Sequence, residues 1–161
     1  MVQWKQIENN PILKLIFTTC GGIPIEMVAN APGEANEYDK KSFRSFLKAV
    51  KQAFEEGFDV GILPEGQLNP SPESGLLPIF TGAYTLARMS KRPIKMVALN
   101  GAHNIWHAVD GIVAKDRQVK IRVFPGGKKF ESPEDFEETF INVVGHFGMK
   151  GKDPKNLPEL L

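Results

Sequence analysis

The sequence predicts an α/β domain in which helices flank a layered mixed sheet. Three features lead to this class: short apolar runs that suit buried strands, amphipathic stretches that suit helices, and clusters of Gly and Pro that separate them. The chain of 161 residues has the length of one domain, and 42% of its residues are hydrophobic and 24% charged. That composition is typical of a globular protein with a sizeable core.

The N-terminal part of the chain predicts a short helix, a strand and a loop. Residues 12–19 follow an Asn-Asn-Pro tripeptide and end at Cys20-Gly21-Gly22, which suits a short helix. The small apolar run 23–28 predicts a strand, and the stretch 29–38, which is rich in Asn, Glu, Gly and Pro, predicts a loop.

The clearest helix follows that loop. Asp39 is its predicted N-cap and Gly57 its predicted stop. Apolar residues between them recur at the spacing of one helical face. They are Phe43, Phe46, Leu47, Val50 and Phe54. The uniformly apolar run 60–63 then predicts a strand that is covered on both sides.

A long loop and three further elements complete the middle of the chain. Residues 64–78 contain four prolines and two glycines without periodicity, and loops of this length in a compact domain are usually functional. A helix over 81–90 and a strand over 94–99 follow. The alternation of polar and apolar residues over 118–123 predicts another strand, with one face in contact with solvent.

The last predicted helix has a strong start signal. Ser132 and Asp135 form a capping box, and Pro133 occupies the first helical position. The helix is predicted to end at Gly148. Its buried stripe comprises Phe136, Phe140, Val143, Val144 and Phe147. The predicted division is therefore a domain over 1–148 and a polar, loosely held C-terminal tail over 149–161.

Composition excludes several classes of protein. The formal net charge is +1, which gives no global field for DNA or RNA, so we expect no nucleic-acid partner. The single cysteine, Cys20, cannot form an internal disulfide and is expected to be a buried, small apolar residue. No apolar stretch approaches the roughly 18 residues of a transmembrane helix, and the N-terminus lacks the layout of a signal peptide.

The most informative segment lies where the run 60–63 meets the long loop. An α/β fold places ligands outside the carboxyl ends of its strands, which is the predicted position of Pro64-Glu65-Gly66. Pro64 fixes one backbone dihedral, and Gly66 permits a positive φ and close approach of a ligand to the backbone. Glu65 would then point at a defined place. The alternative is a plain turn with a solvated Glu65.

The pattern around this tripeptide resembles a known family. Leu63-Pro64-Glu65-Gly66 is followed by Phe80-Thr81-Gly82-Ala83-Tyr84-Thr85-Leu86-Ala87 and the apolar segment 94–99, and Gly21-Gly22-Ile23-Pro24-Ile25 stands upstream. In this order and spacing, the chain resembles the phospholipid/glycerol acyltransferase family, which includes the 1-acylglycerol-3-phosphate acyltransferases. The corresponding blocks of the family are Phe-Pro-Glu-Gly, Phe-x-x-Gly-Ala-x-x-Leu-Ala and Gly-x-x-Phe-Ile-x-Arg.

The resemblance implies a reaction, but the chain lacks the motif that performs it. Members of the family transfer a fatty acyl group from an acyl thioester, either acyl-CoA or an acyl-carrier protein, to a hydroxyl of a lysolipid or glycerol phosphate. The base belongs to a His-x-x-x-x-Asp motif, and none of the three histidines here begins one. We therefore identify no catalytic residue and expect no bound cofactor. Either the acyltransferase domain is partial and lacks its N-terminal elements, or the chain is a catalytically silent lipid-binding homologue.

The resemblance also implies which residues contact the substrate. They are Gly22, Pro64, Glu65, Gly66 and Gln67. The family usually has Thr-Arg after Pro-Glu-Gly and an Arg at the end of the upstream block, and these arginines would clamp a phosphate. Here the positions hold Gln67, Leu68 and Met27. A lysolipid other than lysophosphatidate, or another hydroxyl acceptor, therefore fits better.

Membrane association follows from the same resemblance, either peripheral or through an anchoring segment that is missing from this chain. The apolar residues over 12–17, together with Trp4, predict a surface that could rest at a membrane interface. A face left bare by a missing upstream segment would have the same composition, so both explanations stay open.

Two lesser candidates remain in the second half of the chain. His103 and His107 stand four residues apart, so they could share a helical face as metal ligands, with Asp110 on the same side. Lys128-Lys129 could contact lipid headgroups. We expect ordinary histidines and a solvated turn, and we predict no metal site.

Overall fold

The computed structural model describes residues 10–25, 39–66, 68–107, 109–112 and 118–161. The chain divides into two compact units, Met1–Gln67 and Leu68–Leu161. Helices and small antiparallel sheets occur together in the described residues, so the broad α/β class is confirmed.

The first unit begins with a short, well-capped helix. Helix α1 spans Pro11–Thr19, and the Asn10 side chain accepts hydrogen bonds of 3.1 Å from the backbone N–H groups of Ile12 and Leu13. None of its residues is buried. The helix predicted over 12–19 is therefore confirmed, and it presents its apolar side chains to solvent.

The second helix of this unit agrees with its predicted caps. Helix α2 spans Lys40–Glu55, and the Asp39 carboxylate accepts a hydrogen bond of 2.8 Å from the Ser42 N–H. Gly57, with φ of 87°, ends the helix because only glycine adopts that conformation without strain. Val50, from the predicted apolar face, is buried.

Neither strand predicted in this unit is formed by described residues. Residues 23–25 and 60–63 have no β-ladder, and residues 26–28 lie outside the described part. Ile25 is buried, but Leu63 is 65% exposed, so the run 60–63 is not covered on both sides. A four-residue apolar run has no strand character of its own, since a strand exists only through its pairing partner. The strand prediction for 60–63 is wrong.

The second unit contains most of the described elements. Its helices and strands are α3 (Gly82–Ser90), β1 (Val97–Asn100), β2 (Trp106–His107), β3 (Gly111–Ile112), β4 (Lys120–Val123), α4 (Pro133–Phe140), α5 (His146–Lys150) and α6 (Leu157–Leu160). Strand β1 pairs antiparallel with β4, and β2 pairs antiparallel with β3. The predicted elements over 81–90, 94–99 and 118–123 are thus found with shifted ends.

The sheet formed by β1 and β4 turns its apolar side chains outward. Val97 lies opposite Val123, and Leu99 lies opposite Ile121. These four side chains are 49–67% exposed, whereas Arg122 on the other face is only partly exposed. The alternation over 118–123 predicted that one face of the strand contacts solvent. In the structure, the face in contact with solvent is the one that carries the apolar side chains Ile121 and Val123.

The final long helix and the core of the second unit were predicted closely, except for the helix end: the helix continues past the predicted stop at Gly148 to Lys150 and ends at Gly151, which has the positive φ that Gly148 lacks. Helix α4, a π-helical segment over Ile141–Gly145 and α5 run without a break, and Ser132 caps the start through the Asp135 N–H at 3.1 Å. All five residues of the predicted stripe are buried. They pack with Ile79, Tyr84, Met96, Ala98 and Phe124 in one core.

Residues 149–161 pack more firmly than a loosely held tail would. Pro154 is buried, and Leu157 and Leu160 pack against the core. The Lys128 ammonium donates a hydrogen bond of 2.9 Å to the Leu160 carbonyl. Lys128 is therefore used inside the fold, and of the two lysines considered for headgroup contact only Lys129 is exposed.

Candidate functional site

The predicted Pro-Glu-Gly site is a tight turn in the first unit. The Gly66 N–H donates a hydrogen bond of 3.0 Å to the Leu63 carbonyl, which closes the turn around Pro64 and Glu65. Gly66 has φ of 67° and is buried, as its expected role in the turn requires. The structure therefore brings three of the predicted substrate contacts, Pro64, Glu65 and Gly66, into one turn.

The backbone of this turn is restricted on both sides of Glu65. Pro64 has a fixed φ, and a side chain at position 66 would be strained by the positive φ. Pro64 and Glu65 are both half-buried. A half-buried carboxylate on a backbone of this kind can accept charge-assisted hydrogen bonds from a ligand hydroxyl or ammonium group.

Gly22 has a local structural explanation. Its N–H donates to the Phe17 carbonyl at 2.6 Å, and the N–H of Gly21, which has φ of 75°, donates to the Thr18 carbonyl at 3.3 Å. These two bonds form a Schellman motif that ends α1. An ideal Cβ at Gly22 would lie 2.7 Å from the Phe17 carbonyl oxygen, so any larger residue would displace the motif. Gly22 ends a helix, and substrate contact stays a prediction for it.

The remaining positions of the predicted acceptor site are described only in part. Gln67 and Met27 lie outside the described residues. Leu68 is 52% exposed. Leu68 has no donor for a phosphate, as the sequence already indicated.

The two histidines considered as metal ligands do not share a helix. His103 lies in a 3₁₀ turn over Ala102–Asn104, and His107 lies on β2. Among the described residues, no group of three His, Cys, Asp or Glu side chains could hold a metal ion. The shared helical face considered from the spacing is therefore wrong.

His107 instead joins two carboxylates. Its Nδ1 lies 3.3 Å from Oδ2 of Asp110, and its Nε2 lies 4.0 Å from Oε2 of Glu73. Only 13% of the His107 side chain is exposed. The backbone N–H groups of Val109 and Asp110 also approach Nδ1, at 3.3 and 3.4 Å, so this ring nitrogen faces the turn.

These contacts hold His107 through both of its ring nitrogens. His107 therefore connects the turn between β2 and β3 with the 3₁₀ segment Pro72–Ser74, which carries Glu73. The sequence signal was present, since Asp110 stands three residues after His107. The link to Glu73 spans a loop and could not be read from the spacing.

Cys20 is exposed, which corrects the expectation of a buried small side chain. It is the C-cap of α1, a helix none of whose residues is buried. A capping position at the end of a solvent-exposed helix cannot bury its side chain.

The apolar N-terminal surface is present in the described residues. Ile12, Leu13, Leu15 and Ile16 of α1 are 40–69% exposed, while Trp4 lies outside the described part. Within the described ranges, no helix is both long and apolar enough to cross a bilayer. Helix α1 thus offers a lipid-compatible surface without the length of a membrane span.

Comparison with known proteins adds no assignment. The chain matches no protein-family model, no curated protein and no solved structure. Its function is therefore inferred from the order of its motifs and from the turn that contains Glu65.

Proposed function

We propose that this chain belongs to an acyltransferase-like domain that handles a fatty acyl thioester and a lysolipid in phospholipid biosynthesis or remodelling. The observation that carries the proposal is the ordered series of Gly-Gly, Pro-Glu-Gly and Gly-Ala-x-x-Leu-Ala blocks. The fold of the proposal is a layered mixed sheet flanked by helices.

The turn over Leu63–Gly66 is the proposed contact with the acceptor. The hydrogen bond from the Gly66 N–H to the Leu63 carbonyl and the positive φ of Gly66 fix the backbone that carries Glu65. Leu68 cannot supply the guanidinium of a phosphate clamp. A lysolipid headgroup with hydroxyl or ammonium donors is therefore the favoured acceptor over lysophosphatidate.

The reaction requires a base, and the sequence lacks the motif that supplies it in the family. In acyl transfer, the acceptor oxygen attacks the thioester carbonyl, its proton passes to the base, and the thiolate leaves. None of the three histidines begins a His-x-x-x-x-Asp motif. We therefore expect this chain to bind lipid without transferring the acyl group, a behaviour also expected of a silent lipid-binding homologue.

Two features support action at a membrane surface. Helix α1 exposes four large apolar side chains, and the outer face of β1 and β4 exposes four more. Exposed apolar surface of this kind commonly marks contact with lipid or protein. Membrane association is part of the proposal.

The test combines lysolipid binding with turnover. The purified chain is incubated with labelled acyl-CoA and a panel of lysolipids, and binding of each lysolipid is measured by titration below its micellar concentration. Binding without turnover supports the proposal. Absence of lysolipid binding contradicts it. Robust turnover would show that the chain contains another base, and Glu65 and His107 would be the first candidates.

Glu65→Gln provides the residue-level test. The substitution keeps the size and removes the charge, so lysolipid binding should weaken about ten- to a hundredfold, as expected for one charged hydrogen bond of about 1.5–3 kcal/mol. Glu55→Gln is the matched control, because Glu55 is an exposed residue of α2 whose carboxylate pairs with Lys51. Equal affinities for the two variants would show that the turn does not bind the headgroup.

A further inference from the structure

An open cleft of about 740 Å³ lies at the C-terminal end of α5 in the second unit. The cleft is open to solvent rather than an enclosed cavity. Three lysines line it, Lys150, Lys152 and Lys155, and Asn142 and His146 line it from the helix. The cleft therefore combines three cations with apolar surface, and Asp153, Pro154 and Asn156 complete its lining.

The one carboxylate that lines this cleft is already neutralised. Asp153 accepts two hydrogen bonds from Arg122, at 3.0 Å to Oδ1 and 2.6 Å to Oδ2. This is the bidentate geometry that satisfies both partners. By contrast, Lys150, Lys152 and Lys155 form no ion pair with any residue that the structure describes. The positive charge of the three ammonium groups is left uncompensated.

The backbone that carries the lysines is held firmly. Gly151 has φ of 62°, and its N–H donates to the Phe147 carbonyl at 2.7 Å to end α5. An ideal Cβ at Gly151 would lie 3.0 Å from Oδ1 of Asn100, whose Nδ2 donates to the Gly148 carbonyl at 2.6 Å. The turn after the helix is thus fixed against β1, so the lysines start from defined positions.

The helix that forms the other wall contains an unusual turn. Residues Ile141–Gly145 are π-helical, a conformation that occurs in short segments and frequently at functional sites. Asn142 lies in this segment and His146 follows it directly. The departure from α-helical geometry therefore coincides with the wall of the cleft.

We propose that this cleft is a binding site for a phosphate monoester, present either in a free metabolite or in a lipid headgroup. Lysine binds phosphate as a point charge, and three lysines around one cleft match the two charges of a phosphate monoester. The Asn142 amide supplies a further neutral donor. This assignment is independent of Glu65 and of acyl transfer, since the cleft contains no residue of the Pro-Glu-Gly turn.

The three lysines can also stabilise the helix, and this effect on stability must be distinguished from an effect on ligand binding. Cations near the end of a helix interact favourably with its dipole. Binding and stability therefore have to be measured on the same variants. Replacement of all three lysines by glutamine removes the charge while keeping much of the side-chain length.

The experiment titrates the full chain with glycerol 3-phosphate, and separately with phosphatidylcholine vesicles that contain phosphatidic acid as their only anionic lipid. We expect binding that weakens about two- to fivefold for each single Lys→Gln variant at 150, 152 or 155, since exposed charge pairs contribute about 0.4–1 kcal/mol. The triple variant should weaken binding about ten- to a hundredfold. Binding to glycerol 3-phosphate assigns a free ester, and binding to the vesicles alone assigns a headgroup.

A charge-matched control separates the cleft from net charge. Lys41→Gln, Lys48→Gln and Lys95→Gln remove three exposed lysines elsewhere, so both triple variants have the same net charge. The control should bind like the unmodified chain. Equal loss in the two triple variants would overturn the proposal.

A variant that binds the phosphate ester more tightly provides a further test, because a folding defect would weaken binding rather than strengthen it. Asn156 lines the cleft, is exposed and makes no side-chain capping hydrogen bond, so Asn156→Lys adds a cation without removing a contact. Binding of the phosphate ester should tighten about two- to fivefold. The proposal is overturned if neither probe binds, or if the cleft variants change only the free energy of unfolding.

Discussion

Two glycines of the second unit share a positive φ and differ in their surroundings. Gly101 has φ of 87°, and an ideal Cβ there would lie 2.5 Å from the backbone carbonyl oxygen of Gln118. Gly126 has φ of 77°, with nothing within 4 Å of its ideal Cβ. At Gly101, both the positive φ and the lack of room for a Cβ atom require glycine. At Gly126, only the positive φ requires it.

Substitution of these two glycines separates the two effects. Gly101→Ala should lower the free energy of unfolding by about 2–4 kcal/mol, because the left-handed conformation is strained and the backbone at Gln118 must move. Gly126→Ala should lower it by about 1 kcal/mol through the dihedral alone. Urea unfolding of both variants measures the difference. Equal losses would contradict the close approach at Gly101.

Glu134 gives the stability of the second unit a dependence on pH. Its own backbone N–H, and after it the Ser132 hydroxyl, donate hydrogen bonds to the carboxylate and hold the pKa of Glu134 below its ordinary value of 4.5. A carboxyl whose pKa is lower in the folded state stabilises the fold above its unfolded pKa. That stabilisation is lost as the pH falls through the folded pKa.

Glu134→Gln should therefore reduce stability at neutral pH and matter less in acid. The difference in free energy of unfolding between the unmodified chain and this variant should shrink as the pH falls well below 4.5. Glu138→Gln is the control, because Glu138 is an exposed glutamate that lies later in the same helix. The explanation fails if the Glu134→Gln difference is constant over this range.

At the scale of elements, Lys128 connects the C-terminal helix α6 with the rest of the second unit. Its ammonium donates to the Leu160 carbonyl at 2.9 Å and to the Thr139 hydroxyl at 3.3 Å, and it lies 3.5 Å from Oδ1 of Asp135. Three partners from two helices converge on a single, mostly buried cation. Such a network is worth more than an exposed ion pair.

Lys128→Met tests this connection while preserving most of the apolar stem. We expect a loss of about 1–3 kcal/mol in the free energy of unfolding, together with faster amide hydrogen exchange in α6. The matched substitution Lys129→Met, at the exposed neighbouring lysine, should stay within about 0.5 kcal/mol of the unmodified chain. Similar stability of the two variants would show that α6 is held by Leu157 and Leu160 alone.

Helices were easier to predict than strands because their signals are local. Asp39, Ser132 and the apolar stripes act within a few residues, and α2 and the long C-terminal helix are found where these signals place them. A strand depends on a partner distant in sequence, which is why the run 60–63 was wrongly predicted. The ends of β1 were also shifted, since Ile94 forms only an isolated bridge with Lys128.

In the candidate sites, too, features set by neighbouring residues were predictable, whereas contacts between residues far apart in the sequence were not. The positive φ of Gly66 followed from its place after Pro64 and Glu65. The link between His107 and Glu73 crosses 33 intervening residues, and the charge of the cleft depends on Arg122, which neutralises Asp153 across a similar separation. Neither pairing has a spacing signature, so only the folded chain shows them.

At the scale of the whole molecule, the most unusual feature is the apolar outer face of the sheet formed by β1 and β4. Val97, Leu99, Ile121 and Val123 form it, and among the described strands β1 and β4 pair only with each other. Burying a half-exposed side chain of this kind gains about 1 kcal/mol. A flat apolar face beside unpaired strand edges favours association between copies of the chain.

The chain should therefore self-associate in a concentration-dependent manner, and polar residues on this face should suppress the association. Ile121→Thr with Val123→Thr keeps the β-branched shape and removes apolar surface, so the double variant should stay monomeric at concentrations where the unmodified chain associates. Met89→Thr is the control, because Met89 is similarly exposed, at 66%, but lies on α3. Sedimentation velocity over a concentration series distinguishes the three proteins. If the unmodified chain is monomeric throughout, or if Met89→Thr is as effective as the double variant, this face does not drive association.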